Sequence, residues 1–271
     1  MTDQYAIFGN PVGHSKSPII HAAFARQTGQ DICYKAILAP LDGFNDAVHA
    51  FVAAGGRGAN VTVPFKQEAC ALVTRLTPRA ELAGAANTLL FEGNEVIGDN
   101  TDGVGLLRDI TLNLRYPIKG KRVLLLGAGG ASRGVVGPLL EEGLKSLTIA
   151  NRTVSKAKVI SEHFAHLGPV TACGYDELAG RSFDIVINAT SASLYASMPL
   201  LPDGIFAPGS LAYEMMYGQG DGPFRIFAKN QGASLISEGL GMLVEQAAES
   251  FFIWRGVRPE GFPVMALLQK A

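Results

Sequence analysis

The chain has 271 residues, 48% of them hydrophobic and 17% charged, with 32 glycines. That length is long for one core and suits two α/β lobes, since domains usually run to ~100–200 residues. A formal net charge of −1 gives no basis for a nucleic-acid or membrane surface, and no apolar run approaches the ~18 residues of a bilayer span. Cys33, Cys70 and Cys173 form no CxxC pair and the five histidines are scattered, so neither a disulfide framework nor a metal site is expected. The opening "MTDQYAIFGN" runs into a strand with no secretory pattern, and a reducing cytoplasm is the expected compartment.

The first hundred residues alternate. "YAIFG" reads as a strand and "SPIIHAAFARQTG" as a helix, with Ser17 at the N-cap, Pro18 in the first turn and Gly29 at the stop. "CYKAILA" is a second strand, "GFNDAVHAFVAAG" a second helix, and "GANVTVP" a third strand that passes into a helix beginning at Lys66. The rhythm implies a parallel sheet. "LRYPIKGK", residues 114–121, reads as a linker. A second sheet then begins with "KRVLLLG", a continuous apolar run suited to a strand buried on both faces. "ASRGVVGPLLEEG" and "SKAKVISEHFAHL" are helices, while "SLTIANRT", "FDIVINAT" and "GSLAYEMMY" are strands. "GMLVEQAAESFFIWRG" is the last long helix.

In "LLLGAGGASRG", Gly127, Gly129 and Gly130 follow a strand and open a helix. Glycines there allow a tight turn and let backbone N–H groups approach a diphosphate. The strict GxGxxG pattern is not met, because Ser132 occupies its third slot, so the setting inside a βαβ unit carries the reading. An NAD site wants a carboxylate ~20 residues further on for the ribose 2′-hydroxyl. Here the next strand ends in Asn151, Arg152 and Thr153, with Lys156 one turn later. A guanidinium can pair with a 2′-phosphate, and NADP is favoured over NAD.

A nicotinamide cofactor moves a hydride, so a ketone acceptor needs a proton and a counter-charge for its oxygen. Lys66 starts a helix at a sheet edge, where parallel-sheet sites lie, and an ammonium serves both needs. "GDNTDGVG" places Asn100, Thr101 and Asp102 before a helix. One of the three suffices as a cap, and Asp102 beside Lys66 would hold the ammonium in place. Ser15 and Ser17 in "GNPVGHSKSP", and Asn87 in "AGAANTL", are hydroxyl and amide groups suited to a small ligand bearing hydroxyls and a carboxylate. His14 and His21 show no partner and read as structural.

Taken together and in order, "GNPVGHSKSPIIH", "NVTVPFK", "AGAANT", "GDNTDG", "GAGGASRG", "NRT", "NATS" and "GLGMLVEQAAESF" resemble the shikimate dehydrogenase family over essentially the whole chain. The resemblance implies NADPH-dependent, reversible reduction of 3-dehydroshikimate to shikimate. It implies a two-lobed α/β fold, with a mixed or parallel substrate domain at roughly 1–102 plus 239–271 and a Rossmann NADP-binding domain at 103–238. Lys66 and Asp102 would be the catalytic pair. Ser15, Ser17 and Tyr217 would meet the substrate carboxylate, and Thr62, Asn87 and Gln246 its ring hydroxyls. NADP would lie on Gly127, Ala128, Gly129, Gly130 and Ala131 and on Asn151, Arg152, Thr153, Val154, Ser155 and Lys156. Thr190, Met215 and Gly239 would line its nicotinamide side. The implied partner is a small-molecule substrate, with no nucleic acid or membrane, and the implied state is a monomer or homodimer.

Three positions depart from the family pattern: Glu214 for aspartate, Glu238 before the "GLGML" glycine, and Ser193 where glycine is common. A broader quinate/shikimate dehydrogenase remains an alternative that Arg152 does not exclude. A binding-only regulator of the same fold is the alternative from another class, and intact Lys66 and Asp102 argue against it.

Overall fold

In a computed structural model, the protein is described at residues 2–190, 192, 197–218, 220 and 222–269. The chain divides into two compact units, Met1–Gly105 with Leu243–Ala271, and Leu106–Met242.

The first unit begins with β1 (Asp3–Gly9), α1 (Ser17–Thr28), β2 (Ile32–Leu38), α2 (Phe44–Ala53) and β3 (Gly56–Val61). α3 (Lys66–Leu72), β4 (Arg75–Leu76), α4 (Pro78–Ala83), β5 (Thr88–Glu92) and β6 (Glu95–Asp99) follow. The six strands form one sheet in the order β2-β1-β3-β5-β6-β4. The strand–helix rhythm runs on to β5, and β1, β2 and β3 pair in parallel as it implies. β5 runs antiparallel to both β3 and β6, so the sheet is mixed. β5 and β6 are joined as a hairpin by a two-residue turn at Gly93–Asn94, between the paired Glu92 and Glu95, with Gly93 at φ 58°. The core of this unit packs Phe8, Phe44, Val61, Phe65 and Leu89. In α1, Gly29 ends the helix at φ 65°, as its sequence suggests, but Ser17 is not the cap. That position is Lys16, which makes no side-chain cap bond. The acceptor is instead Ser15 Oγ, which takes the Ser17 N–H at 3.3 Å.

The second unit holds β7 (Arg122–Leu126), α6 (Gly130–Glu141), β8 (Ser146–Ala150), α7 (Val154–Phe164), β9 (Val170–Cys173), β10 (Phe183–Asn188), β11 (Phe206–Glu214), α8 (Pro223–Asn230) and β12 (Leu235–Glu238). Its sheet runs β12-β11-β10-β7-β8-β9, parallel throughout. This is the doubly wound order, whose ligand crevice opens where the winding reverses, between β7 and β10. Val123 to Leu126 are fully buried, as expected of a strand covered on both faces. Residues 114–121 are not a free linker. Ile118 is buried, and the Tyr116 hydroxyl donates to the carbonyls of Asp184 and Gly209 at 3.0 and 2.9 Å.

The unit boundaries fall within α5 (Asp102–Arg108) and α9 (Leu240–Arg255), and α10 (Gly261–Leu268) closes the described chain. No helix among the described residues is long and apolar enough to cross a membrane.

Candidate active site

β3 ends at Val61, one turn before Lys66. The Thr62 amide donates to Phe8 at 2.9 Å and the Phe65 amide to Thr62 at 3.0 Å, which folds the chain into the first turn of α3. Phe65 is buried and stacks on Phe44 at 4.7 Å. That packing pins the residue before Lys66, and the Lys66 carbonyl is held by the Ala86 amide at 2.8 Å. Lys66 Nζ then donates to Asp102 Oδ2 at 2.5 Å, with side-chain exposures of 16% and 6%.

Asp102 is the first residue of α5, and Asn100 is its cap: Asn100 Oδ1 accepts the Asp102 amide at 3.1 Å, while Asn100 Nδ2 donates to Ala85 at 2.9 Å. Asn87 has a determined orientation. Its Oδ1 accepts the Thr101 amide at 2.9 Å, so its Nδ2 must face Asp102 Oδ1, at 2.8 Å, and Gln246 Oε1, at 3.3 Å. Lys66, Asn87, Asp102 and Gln246 therefore form one cluster from α3, the β5 approach, α5 and α9.

A buried polar layer supports that cluster. Tyr34 donates to Asn60 Oδ1 at 2.7 Å, and Asn60 Nδ2 donates to Thr88 Oγ1 at 3.2 Å and Ser250 Oγ at 3.0 Å. Ser250 and Thr88 lie 2.8 Å apart. Burial pushes the Tyr34 phenol well above its ordinary value, and the neighbouring Ser17 side chain partly offsets this. His21 stacks on Tyr34 at 4.2 Å, and neither of its ring nitrogens has a hydrogen-bond partner among the described residues. Burial lowers its pKa to about 3, with Asn60 opposing, so the ring is neutral.

The second unit carries the other expected residues. Gly127 has φ 107°, a conformation open to glycine, and a Cβ there would meet the Ala189 backbone at 3.2 Å. Gly129 caps the twelve-residue α6 and faces open space. The first-turn N–H groups of α6 have no acceptor within the helix, which makes the loop an anion cradle. Ser132 is fully buried in the slot of the missing glycine, its hydroxyl without a partner among the described residues. At the end of β8, Arg152, Thr153 and Lys156 are exposed, while Asn151 Nδ2 donates to the Thr153 carbonyl at 2.8 Å. A cavity of about 530 Å³ opens beside Arg152, Val154, Gly174, Tyr175 and Leu200. An open glycine cradle, two exposed cations and an adjoining cavity fit a dinucleotide bearing a 2′-phosphate.

Thr190, Met215 and Gly239 meet at one corner. The Thr190 hydroxyl donates to Asn188 Oδ1 at 2.8 Å and the Met215 amide to the Asn188 carbonyl at 2.9 Å. Gly239 lies so close to the Met215 carbonyl that a Cβ would come within 2.1 Å of it. Glu214 has a local reason to be there: its carboxylate accepts Asn188 Nδ2 at 2.7 Å and the Met216 amide at 3.1 Å. Glu238 accepts from Gly218 and Arg225, both at 3.2 Å. Tyr217 is half-buried beyond β11, and Ser193 lies outside the described residues.

Three family descriptions match successive stretches: shikimate dehydrogenase substrate binding domain at 7–89, Shikimate / quinate 5-dehydrogenase at 111–198, and Shikimate 5'-dehydrogenase C-terminal domain at 239–266. A shikimate dehydrogenase (NADP(+)) of Dechloromonas aromatica is 62% identical over 269 residues, covering 99% of this chain and 98% of that protein. The chain belongs to the shikimate dehydrogenase family. Among solved structures, an Ael1 enzyme from Pseudomonas putida superposes with a TM-score of 0.92 at 48% identity, covering 98% of both chains. Shikimate 5-dehydrogenase from Thermus thermophilus, in complex with NADP(H) and shikimate, superposes with a TM-score of 0.88 at 31% identity over 99% of both chains.

Family membership leaves the supporting layer unexplained. Sequence reasoning gave no role to Tyr34, Asn60, Thr88 or Ser250. The available signal was Asn60 itself, a polar side chain inside the apolar strand "GANVTV", which must find buried partners.

Proposed function

We propose that this chain catalyses the reversible, NADPH-dependent reduction of 3-dehydroshikimate to shikimate. The observation that carries the reading is Lys66 Nζ closed onto Asp102 at 2.5 Å, with Asn87 on the same carboxylate at 2.8 Å. Bound NADPH supplies the hydride. As the substrate carbonyl oxygen gains charge, the Lys66 ammonium stabilises it and gives it a proton from Nζ. In the reverse direction a neutral Lys66 takes the hydroxyl proton. Asp102 holds Nζ at its post and accepts from a ring hydroxyl, while Asn87, Gln246 and Thr62 hold the other hydroxyls. Ser15 and Ser17 take the carboxylate.

On this reading the unit containing Lys66 is the substrate domain and the parallel-sheet unit is the NADP domain. The Gly127–Ala131 loop takes the diphosphate. The Asn151–Lys156 segment takes the 2′-phosphate and ribose, and Thr190, Met215 and Gly239 face the nicotinamide. The free Cys33, Cys70 and Cys173 support a reducing cytoplasm. A monomer or homodimer is proposed, and sedimentation reads the state directly.

The test is absorbance of NADPH with 3-dehydroshikimate, 3-dehydroquinate, shikimate and quinate offered separately, each with NADP and NAD. Turnover confined to the shikimate pair and strongest with NADP supports the reading. Equal turnover of quinate moves the chain to a broader specificity, and no turnover of any pair removes the assignment.

A further inference from the structure

Two carboxylates outside the Lys66 cluster each stand three residues from one of its members. Asp99 precedes Asp102, and Glu249 follows Gln246. One guanidinium joins them. Arg79 of α4 forks onto Asp99, Nε to Oδ1 at 2.6 Å and Nη2 to Oδ2 at 2.8 Å, and its Nη1 donates to Glu249 Oε1 at 3.1 Å. Both carboxylates are buried, and the second oxygen of Glu249 is held by Arg258.

The fork determines more than its own geometry. Asp99 Oδ1 also accepts the Asn100 amide at 2.7 Å and the Thr77 hydroxyl at 2.7 Å, and the Asp99 carbonyl accepts the Asn87 amide at 3.0 Å. Asn100 in turn caps the Asp102 amide. The direction of the Asp99 side chain is thus transmitted through two hydrogen bonds to the residue that holds Lys66. On α9, positions 246 and 249 are neighbours on one face, so the grip on Glu249 sets the rotation of the helix that presents Gln246. A lysine in place of Arg79 would supply a point charge without the planar fork.

We propose that Arg79 is a positioning residue for the reaction: through Asp99 it sets Asp102, and through Glu249 it sets Gln246. The proposal rests on the reading of Lys66 and Asp102 as the proton-handling pair. It predicts a split that a merely stabilising ion network would not produce. Asp99→Asn lowers kcat for shikimate oxidation ~10-fold or more with little change in KM for shikimate, because an interaction realised in the transition state is misplaced. Glu249→Gln raises KM for shikimate about 5-fold and leaves kcat within about 2-fold, because uniform substrate binding is lost. Arg79→Lys does both, and KM for NADP is unchanged in all three.

The experiment is steady-state kinetics on wild type, Lys66→Met and these three variants, per mole of folded enzyme, at a temperature well below each Tm. A lowered Tm with wild-type kcat and KM overturns the inference, and so does an identical kinetic change in Asp99→Asn and Glu249→Gln. If Arg79→Lys does not fold, the other two variants carry the decision. Wild-type shikimate oxidation that Lys66→Met abolishes, with both carboxylate variants at wild-type values, removes this inference alone. Absence of wild-type shikimate oxidation removes the functional reading and this inference with it.

Discussion

Replacing Lys66 by Met removes the ammonium and keeps most of the apolar stem. Two separate losses follow. The first is the proton donor, worth ~10²–10⁴ in kcat, which at 1.36 kcal/mol per tenfold is about 3–5 kcal/mol of transition-state stabilisation. The second is thermodynamic. Asp102, with a side chain 6% exposed, keeps Asn87 Nδ2 at 2.8 Å but loses the cation that pairs with it. Breaking a buried pair costs ~3–5 kcal/mol, and the 16% exposure of Lys66 argues for the lower end, about 3 kcal/mol. Adding Asp102→Asn removes the stranded charge, so the double variant should regain stability over Lys66→Met alone. It should also turn over no more slowly than Lys66→Met, because groups that act as a unit are not additive. Urea unfolding and NADPH absorbance on the four proteins of the cycle measure both quantities. A double variant slower by the product of the two single effects, or a Lys66→Met enzyme within about threefold of wild type, would refute the pair as a unit.

Arg152→Ala should weaken NADPH far more than NADH, read by calorimetry, because only the former carries the 2′-phosphate; equal weakening removes that assignment. His21 titrates at about 3 in the folded protein against an ordinary 6.5, so the unfolded chain takes up the proton first. Stability is therefore complete above pH 6.5 and falls as pH drops below it, by up to ~1.36 kcal/mol per pH unit. Urea unfolding between pH 7 and 5 should show that slope in wild type and a shallower one in His21→Phe; an unchanged slope would clear His21 of the effect. Gly129→Ala meets nothing within 4 Å and should leave Tm unchanged while raising the Kd for NADPH, since the new methyl enters the diphosphate cradle. Gly239→Ala would push a methyl to 2.1 Å from the Met215 carbonyl and should lower Tm; intact stability there would contradict the packing.

Much of the local structure was legible. The start of α3 at Lys66, the glycine loop between β7 and α6, and the cations after β8 follow from periodicity and turn chemistry, which act over a few residues. The strand–helix rhythm implied a parallel sheet, and β1, β2 and β3 are parallel; the antiparallel β5–β6 hairpin was not legible because its Gly93–Asn94 turn lacks the Asn-Gly order that signals such a turn most strongly. Ser17 was misread as a cap because cap preference names a residue type, whereas the chain turns one residue earlier and uses Ser15. The 114–121 stretch looked like a linker because its proline, glycine and charges hide Ile118, which is buried.

By itself the sequence determined which segments become strands and helices around the two ligand sites, and which side chains have the chemistry to hold a phosphate or move a proton. Only the tertiary structure decided who satisfies whom. Asn60 bonds Ser250 across 190 residues, and Asn87 bonds Gln246 across 159. The physical reason is range. Backbone periodicity is enforced by neighbours, so it is written locally, but a buried amide or carboxylate is indifferent to where in the chain its partner originates and requires only that one arrive within about 3 Å.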